Sequence, residues 1–127
     1  MEAIVDTSAW IEYLIGSKKG LEAKQLIFKE DSLAITVNCC LAELKEWALK
    51  NNKDFDQLMG IIQSNSSIIE VSTQDWIKAA EEKVRQRISK KDFGLIDAVI
   101  LVKQKQRGCK LISTDHHFIG EKNAIIL

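Results

Sequence analysis

Four acidic residues, Asp6, Glu43, Asp97 and Asp115, are the side chains of this sequence best placed to do chemistry. They are far apart in sequence, yet each falls where a strand-like run hands over to a helix or loop. Carboxylates gathered in a cleft repel: two unit charges about 4 Å apart cost on the order of 4 kcal/mol at an effective dielectric of 20. A divalent cation among the oxygens removes that cost, and carboxylate ligands suit Mg²⁺ or Mn²⁺. Taken singly, Asp6 can end a strand, Glu43 can face solvent, and Asp115 can make a turn. Asp97 is harder to dismiss. It lies among Leu95, Ile96, Ala98, Val99 and Ile100, and a buried Asp without a partner is costly.

The elements that must position these acids follow from hydrophobic patterning. Strands are expected at Glu2–Asp6, Ser32–Thr36, Ser67–Val71, Lys110–Ser113 and Ala124–Leu127. Helices are expected over Ser8–Ile15, closed by Gly16, and over Gly20–Glu30, 39–50, Asp54–Ile62 and Asp92–Arg107. Another long helix follows Thr73, its expected cap, with Trp76, Ile77, Ala80, Val84 and Ile88 as the expected buried stripe. Asn38 is an expected N-cap for the helix at 39–50, and Asp92 for the helix at 92–107. Gly108 is the expected stop of the latter. Strands alternating with helices predict an α/β fold: a three-layer α/β/α sandwich around a mainly parallel sheet. In such a sheet every strand ends on one edge, where ligands bind. Asp6 closes the first strand and Asp115 follows the fourth by two residues. Glu43 sits in the second turn after the second strand, and Asp97 early in the helix that leads into the fourth. All four acids are therefore expected on the ligand-binding edge.

Composition narrows the class. A chain of 127 residues, 46% apolar, fits one domain spanning 1–127. No apolar run approaches a membrane span, and MEAIVDTSAW lacks a signal-peptide pattern, so a cytoplasmic protein is expected. Cys39, Cys40 and Cys109 form neither a C-x-x-C pair nor a disulfide framework and read as small apolar residues. Eighteen basic and eighteen acidic residues cancel, so the broad basic surface of many nucleic-acid binders is absent. Lys18–Lys19, Lys90–Lys91 and Lys103–Lys105–Arg107–Lys110 read as solvated faces. Trp10, Tyr13, Leu14 and Trp47 read either as a partner groove or as core.

The sequence resembles the PIN domains, and most of all the compact VapC-type toxins of toxin–antitoxin pairs. The resemblance rests on Ile4-Val5-Asp6-Thr7-Ser8, Leu41-Ala42-Glu43-Leu44, Leu95-Ile96-Asp97-Ala98 and Ile112-Ser113-Thr114-Asp115-His116-His117-Phe118. It implies a metal-dependent endoribonuclease acting on RNA, a homodimer and an antitoxin partner. It carries Asp6, Glu43, Asp97 and Asp115 over as catalytic residues and metal ligands, with Thr7, Ser8 and Ser113 in support. One departure stands out: a further acid common two residues after the fourth is His117 here. His116 and His117 do not make a zinc pair, because adjacent side chains of an extended segment point apart. Rival readings are an RNA-processing nuclease that is not a toxin and an interaction module with an idle site. A receiver-type phosphoacceptor fits poorly, because Asp6 is followed by Thr7 and Ser8 rather than by a second acid.

Overall fold

The computed structural model describes residues 1–127. Strands β1 (Glu2–Val5), β2 (Leu33–Val37), β3 (Ser67–Ile69), β4 (Lys110–Ser113) and β5 (Ala124–Ile126) form one sheet in the order β3-β2-β1-β4-β5. Every pairing is parallel. Between the strands lie α1 (Thr7–Ile15), α2 (Lys18–Ile27), α3 (Cys39–Lys50), α4 (Phe55–Asn65), α5 (Thr73–Gln86) and α6 (Leu95–Arg107). A 3₁₀ turn at His116–Phe118 links β4 to β5. No helix is long and apolar enough to cross a membrane.

The strand sequences are short continuous apolar runs because both sheet faces are covered. Ile4, Ile35, Val37 and Leu111 share one core cluster with Ala79 of α5, Phe93, Phe118 and the buried run Ala98 to Val102 of α6. Ala3, Val5, Ala34 and Ile112 face the other way, against Ala9 and Trp10 of α1, Ala23 and Ile27 of α2, Leu44 of α3 and Ile62 of α4. Helices α1 to α4 thus cover one face, and α5 and α6 the other. The chain steps outward from β1 to β2 and β3, then crosses back through α5 and α6 to place β4 on the far side of β1. The carboxyl ends of β1 and β4 therefore flank the topological switch point, the place where an open α/β sheet leaves a crevice.

Local signals set most helix ends. Gly16 closes α1 at φ 72°, its N–H bonding to the carbonyls of Glu12 and Tyr13. The Ser17 and Asp54 side chains cap α2 and α4. Ser72, rather than Thr73, caps α5 in a capping box with Asp75. Asn38 occupies the N-cap position of α3 but is helical itself and makes no cap bond. Asp92 is no cap at all. The helix begins three residues later than expected, at Leu95, with Gly94 before it and Asp97 reaching back to the Gly94 N–H at 3.0 Å.

The largest departure from the sequence pattern is α5. Its stripe of Trp76, Ile77, Ala80, Val84 and Ile88 faces outward, Val84 being 72% and Ile88 86% exposed. The buried side of α5 carries Asp75, Ala79 and Glu82 instead. Asp75 takes Lys103 and Gln106 of α6 at 2.9 and 2.7 Å. Glu82 pairs with Lys105 and Arg85 at 2.7 and 2.6 Å. The polar face is buried because α6 supplies its counter-charges. Trp10 is also settled. It is core, 1% exposed, with its indole N–H on Thr36 Oγ1 at 3.0 Å.

Two helical glycines give opposite expectations. Alanine in a helix interior is ordinarily favoured over glycine by up to about 1 kcal/mol. At Gly60 an added Cβ meets nothing within 4 Å, so Gly60→Ala should stabilise by about that amount. At Gly20 the same atom would lie 2.0 Å from the Glu12 carbonyl oxygen of α1. Helices α1 and α2 must separate to admit it, so Gly20→Ala should destabilise by about 2 kcal/mol or more. Urea unfolding of both variants measures the two signs.

Candidate metal centre and active site

Asp6 follows β1 directly, and its N–H continues the ladder to the Ile112 carbonyl at 3.0 Å. It precedes α1, yet its side chain does not cap that helix. The carboxylate turns instead towards the switch point. Ser113 Oγ, at the end of β4, donates to Asp6 Oδ2 at 2.8 Å. Ser8 Oγ lies 3.2 Å from the same oxygen and 3.1 Å from Ser113 Oγ. Each hydroxyl has one proton and spare lone pairs. The lone pairs are used: Ser8 Oγ accepts the Thr114 N–H and Ser113 Oγ accepts the Asp115 N–H, both at 3.0 Å. These two serines lock the chain after β4 onto the chain after β1.

Thr7 reaches the other way. Its hydroxyl donates to Glu43 Oε1 at 2.7 Å, tying α3 to the first turn of α1. Asp97, three residues into α6, is half-buried and accepts from the Gly94 N–H. Asp115 accepts from the His117 N–H at 2.8 Å, which fixes the 3₁₀ turn. All four predicted acids, and all three predicted hydroxyl residues, meet at the carboxyl edge of the sheet.

Sequence reading missed two further residues. His117 Nδ1 lies 3.0 Å from Asp97 Oδ2 and 3.2 Å from Asp115 Oδ1. The imidazole thus stands between two of the acids, in the place where a further carboxylate was expected. The rings of His116 and His117 do not point apart. The 3₁₀ turn brings their centroids to 4.4 Å. The signal for His117 was its position two residues after Asp115; its approach to Asp97 needs the fold. Cys40 is the second. Its sulfur falls within 4.8 Å of ligand oxygens of Asp6 and Glu43. Its thiol pKa is raised by the hydrogen bond with Cys39 and by burial, so it stays neutral beside them.

The electrostatics single this cluster out. Burial raises the Asp6 pKa to about 7, opposed by the Ser113 hydrogen bond and reinforced by the charges of Glu43 and Asp97. Burial also raises Glu43, which feels Asp97 and Asp115, and Asp97, which feels Asp115. The four acids therefore act on one another. No lysine or arginine pairs with any of them; His117 and His116 are their only basic neighbours. The other two buried acids, Asp75 and Glu82, have Lys or Arg partners, and both have lowered pKa values. A set of hard oxygen donors, crowded and without a cationic side chain, fits a divalent cation.

The same imbalance sets a pH dependence. Asp6 binds its proton more tightly in the folded chain, about 7 against 3.8. Its contribution to stability is therefore full below about 4 and is lost as pH rises towards 7. Glu43 and Asp97 act in the same direction. In EDTA at pH 8, Asp6→Asn should stabilise the fold by about 1–3 kcal/mol, and the gain should shrink at pH 4.5. Thermal unfolding at both pH values measures it.

Comparison with known proteins agrees with this geometry. Residues 3–120 match the PIN domain family. A toxin–antitoxin complex from Klebsiella pneumoniae is 25% identical with a TM-score of 0.68, over 97% of this chain and 95% of that one. VapBC2 of Rickettsia felis, bound to a DNA fragment from its promoter, aligns at a TM-score of 0.75 and 18% identity, covering 100% and 98%. VapC20 of Mycobacterium tuberculosis, a toxin that cleaves the sarcin–ricin loop, gives 0.71 and 19%, covering 94% and 91%. No curated protein matches. With its acids gathered at the switch point of an all-parallel five-stranded sheet, this chain belongs to the PIN domain family.

Proposed function

We propose that the chain is a metal-dependent endoribonuclease, the toxin of a toxin–antitoxin pair, which hydrolyses RNA phosphodiester bonds. One observation carries the reading: buried and half-buried, mutually repelling carboxylates at the switch point, without a Lys or Arg partner. Asp6, Asp97 and Asp115, with Glu43, are the ligands in this reading, and the cation is Mg²⁺ or Mn²⁺. When bound, it supplies charge relief to the phosphoryl oxygens and lowers the pKa of water.

The chain's own groups do the rest. Ser113 and Ser8 hold the Asp6 carboxylate in one orientation. Thr7 holds Glu43, whose raised pKa suits a group that accepts a proton from an attacking water. His117 keeps Asp97 and Asp115 turned towards each other.

RNA cleavage in Mg²⁺, Mn²⁺ or EDTA tests the reading. Asp6→Asn and Asp97→Asn should each lower kcat by at least about a hundredfold while retaining the fold. Cleavage that persists in EDTA, or in either variant, would refute it.

The partners in this reading are a second copy and an antitoxin. The second copy is assigned to the outward stripe of α5. Laid antiparallel on its own copy about the level of Glu82, α5 sets Ala80 against Val84, with Trp76 near the turn after α5 that carries Ile88. The same register sets Glu81 against Lys83, so the charges match as well as the apolar residues. Val84→Glu should convert the dimer to a monomer in analytical ultracentrifugation; a parent that is itself monomeric would sink the assignment. The antitoxin is assigned to α1, α2 and α3, where Tyr13, Leu14 and Trp47 are half-buried and Ile15, Phe28 and Leu49 exposed. Similar chains occur in toxin–antitoxin complexes, which supports that partner.

A further inference from the structure

The chain is electrically balanced, and a cluster of acids repels a polyanion until a cation is bound. Local positive charge must bring RNA to the site. Five of the eighteen basic residues are engaged by acids elsewhere. Lys103 is neutralised by Asp75, Lys105 and Arg85 by Glu82, Arg107 by Glu2 and Lys50 by Glu46.

The segment between α5 and α6 is different. Arg87 donates through Nε to the Phe93 carbonyl at 2.8 Å. Lys90 Nζ donates to the His117 carbonyl at 2.6 Å and the Ile119 carbonyl at 3.4 Å, with Glu121 only at 3.9 Å. Carbonyls orient these cations without cancelling them. Lys91 is exposed and makes no ion pair.

Lys90 and Lys91 line an open cavity of about 230 Å³ with Ser89, Asp92, His116 and His117, and no apolar residue is among them. His117 belongs to both places: it lines this cavity, its carbonyl accepts from Lys90, and its Nδ1 meets Asp97 and Asp115. One side chain therefore separates this cavity from Asp97 and Asp115. The Lys90 bonds staple the α5–α6 segment to the turn after β4, so its wall is fixed. Asp92 is the one acid in the lining, opposed by two lysines there.

We propose that this cavity is a backbone-phosphate subsite, holding the RNA phosphate next to the one that is cleaved. The proposal rests on the nuclease reading above and adds where the substrate strand runs: from the acid cluster, past His117, towards Lys90 and Lys91. Lys91 is a binding residue in it, without a part in bond cleavage.

Lys91→Glu tests it, because an exposed, unpaired side chain can be reversed without disturbing the fold. The probe is a labelled single-stranded RNA, with anisotropy measured in Mg²⁺ on an Asp6→Asn background that prevents cleavage. Lys91→Glu should weaken binding about tenfold and lower the slope of log K against log salt by about 1. With Asp6 restored, KM should rise while kcat stays within about twofold. Lys19→Glu on α2, an equal charge change on the other face, should leave all three quantities at parental values. Parental affinity and salt slope in Lys91→Glu, beside a parent that binds and cleaves RNA, would overturn the subsite alone. A parent that neither binds nor cleaves RNA would overturn the nuclease reading and the subsite with it.

Discussion

The structure turns on one buried carboxylate with no lysine or arginine partner. Asp6 is 6% exposed and sits at the end of the central strand. Its pKa of about 7 records how poorly the apolar core tolerates its charge. Folding accepts that cost because two hydroxyls and the β1–β4 ladder hold the group in place. The contrast with Asp75 and Glu82 is instructive. Those acids are as buried, but Lys103, Lys105 and Arg85 compensate them, and they help to join α5 to α6. One set of acids contributes to the fold; the other is carried by it. Strain of this kind persists where the surrounding structure over-determines it, and it clusters at functional sites.

The topology explains why the cost falls at this place. Because β2 and β4 lie on opposite sides of β1, the chains leaving β1 and β4 diverge and open a crevice between them. Ser113 and Ser8 bridge that crevice at its floor, and Thr7 extends the bridge to Glu43. Asp97 enters from α6, and His117 joins it to Asp115. Asp6 and Glu43 are anchored by hydroxyls from other elements, and His117 ties the turn after β4 to Asp97, so the constellation inherits the rigidity of the sheet. That is the preorganisation an electrostatic site requires.

A net charge of zero conceals an uneven surface. The acids are concentrated at the switch point, while unneutralised cations remain in the segment that follows α5. Counting charges over the chain gave no hint of this. Lys90–Lys91 and Lys103–Lys105 look alike in sequence, yet the second pair meets acids on a neighbouring helix, while Lys90 is oriented by carbonyls and Lys91 is exposed and unpaired.

The positions of the four acids along the chain were legible without coordinates. Each marks a local event, a strand end or the first turns of a helix, and such events are written in short-range pattern and in turn chemistry. A mainly parallel sheet was legible for a related reason, the alternation of strands with helices, and the structure makes every pairing parallel. What the sequence left open was which surface meets which. The apolar period of α5 was real, but periodicity reports only that a helix has two unlike faces. The face turned inward carries Asp75 and Glu82, because α6 offers Lys103 and Lys105 opposite them, and a charge can be buried when a partner compensates it. Trp10 was ambiguous until Thr36 appeared beside its indole. His117 became part of the site only when the turn after β4 met the start of α6. These contacts join residues from distant parts of the chain, and no local pattern encodes them; tertiary structure decides them by bringing the partner.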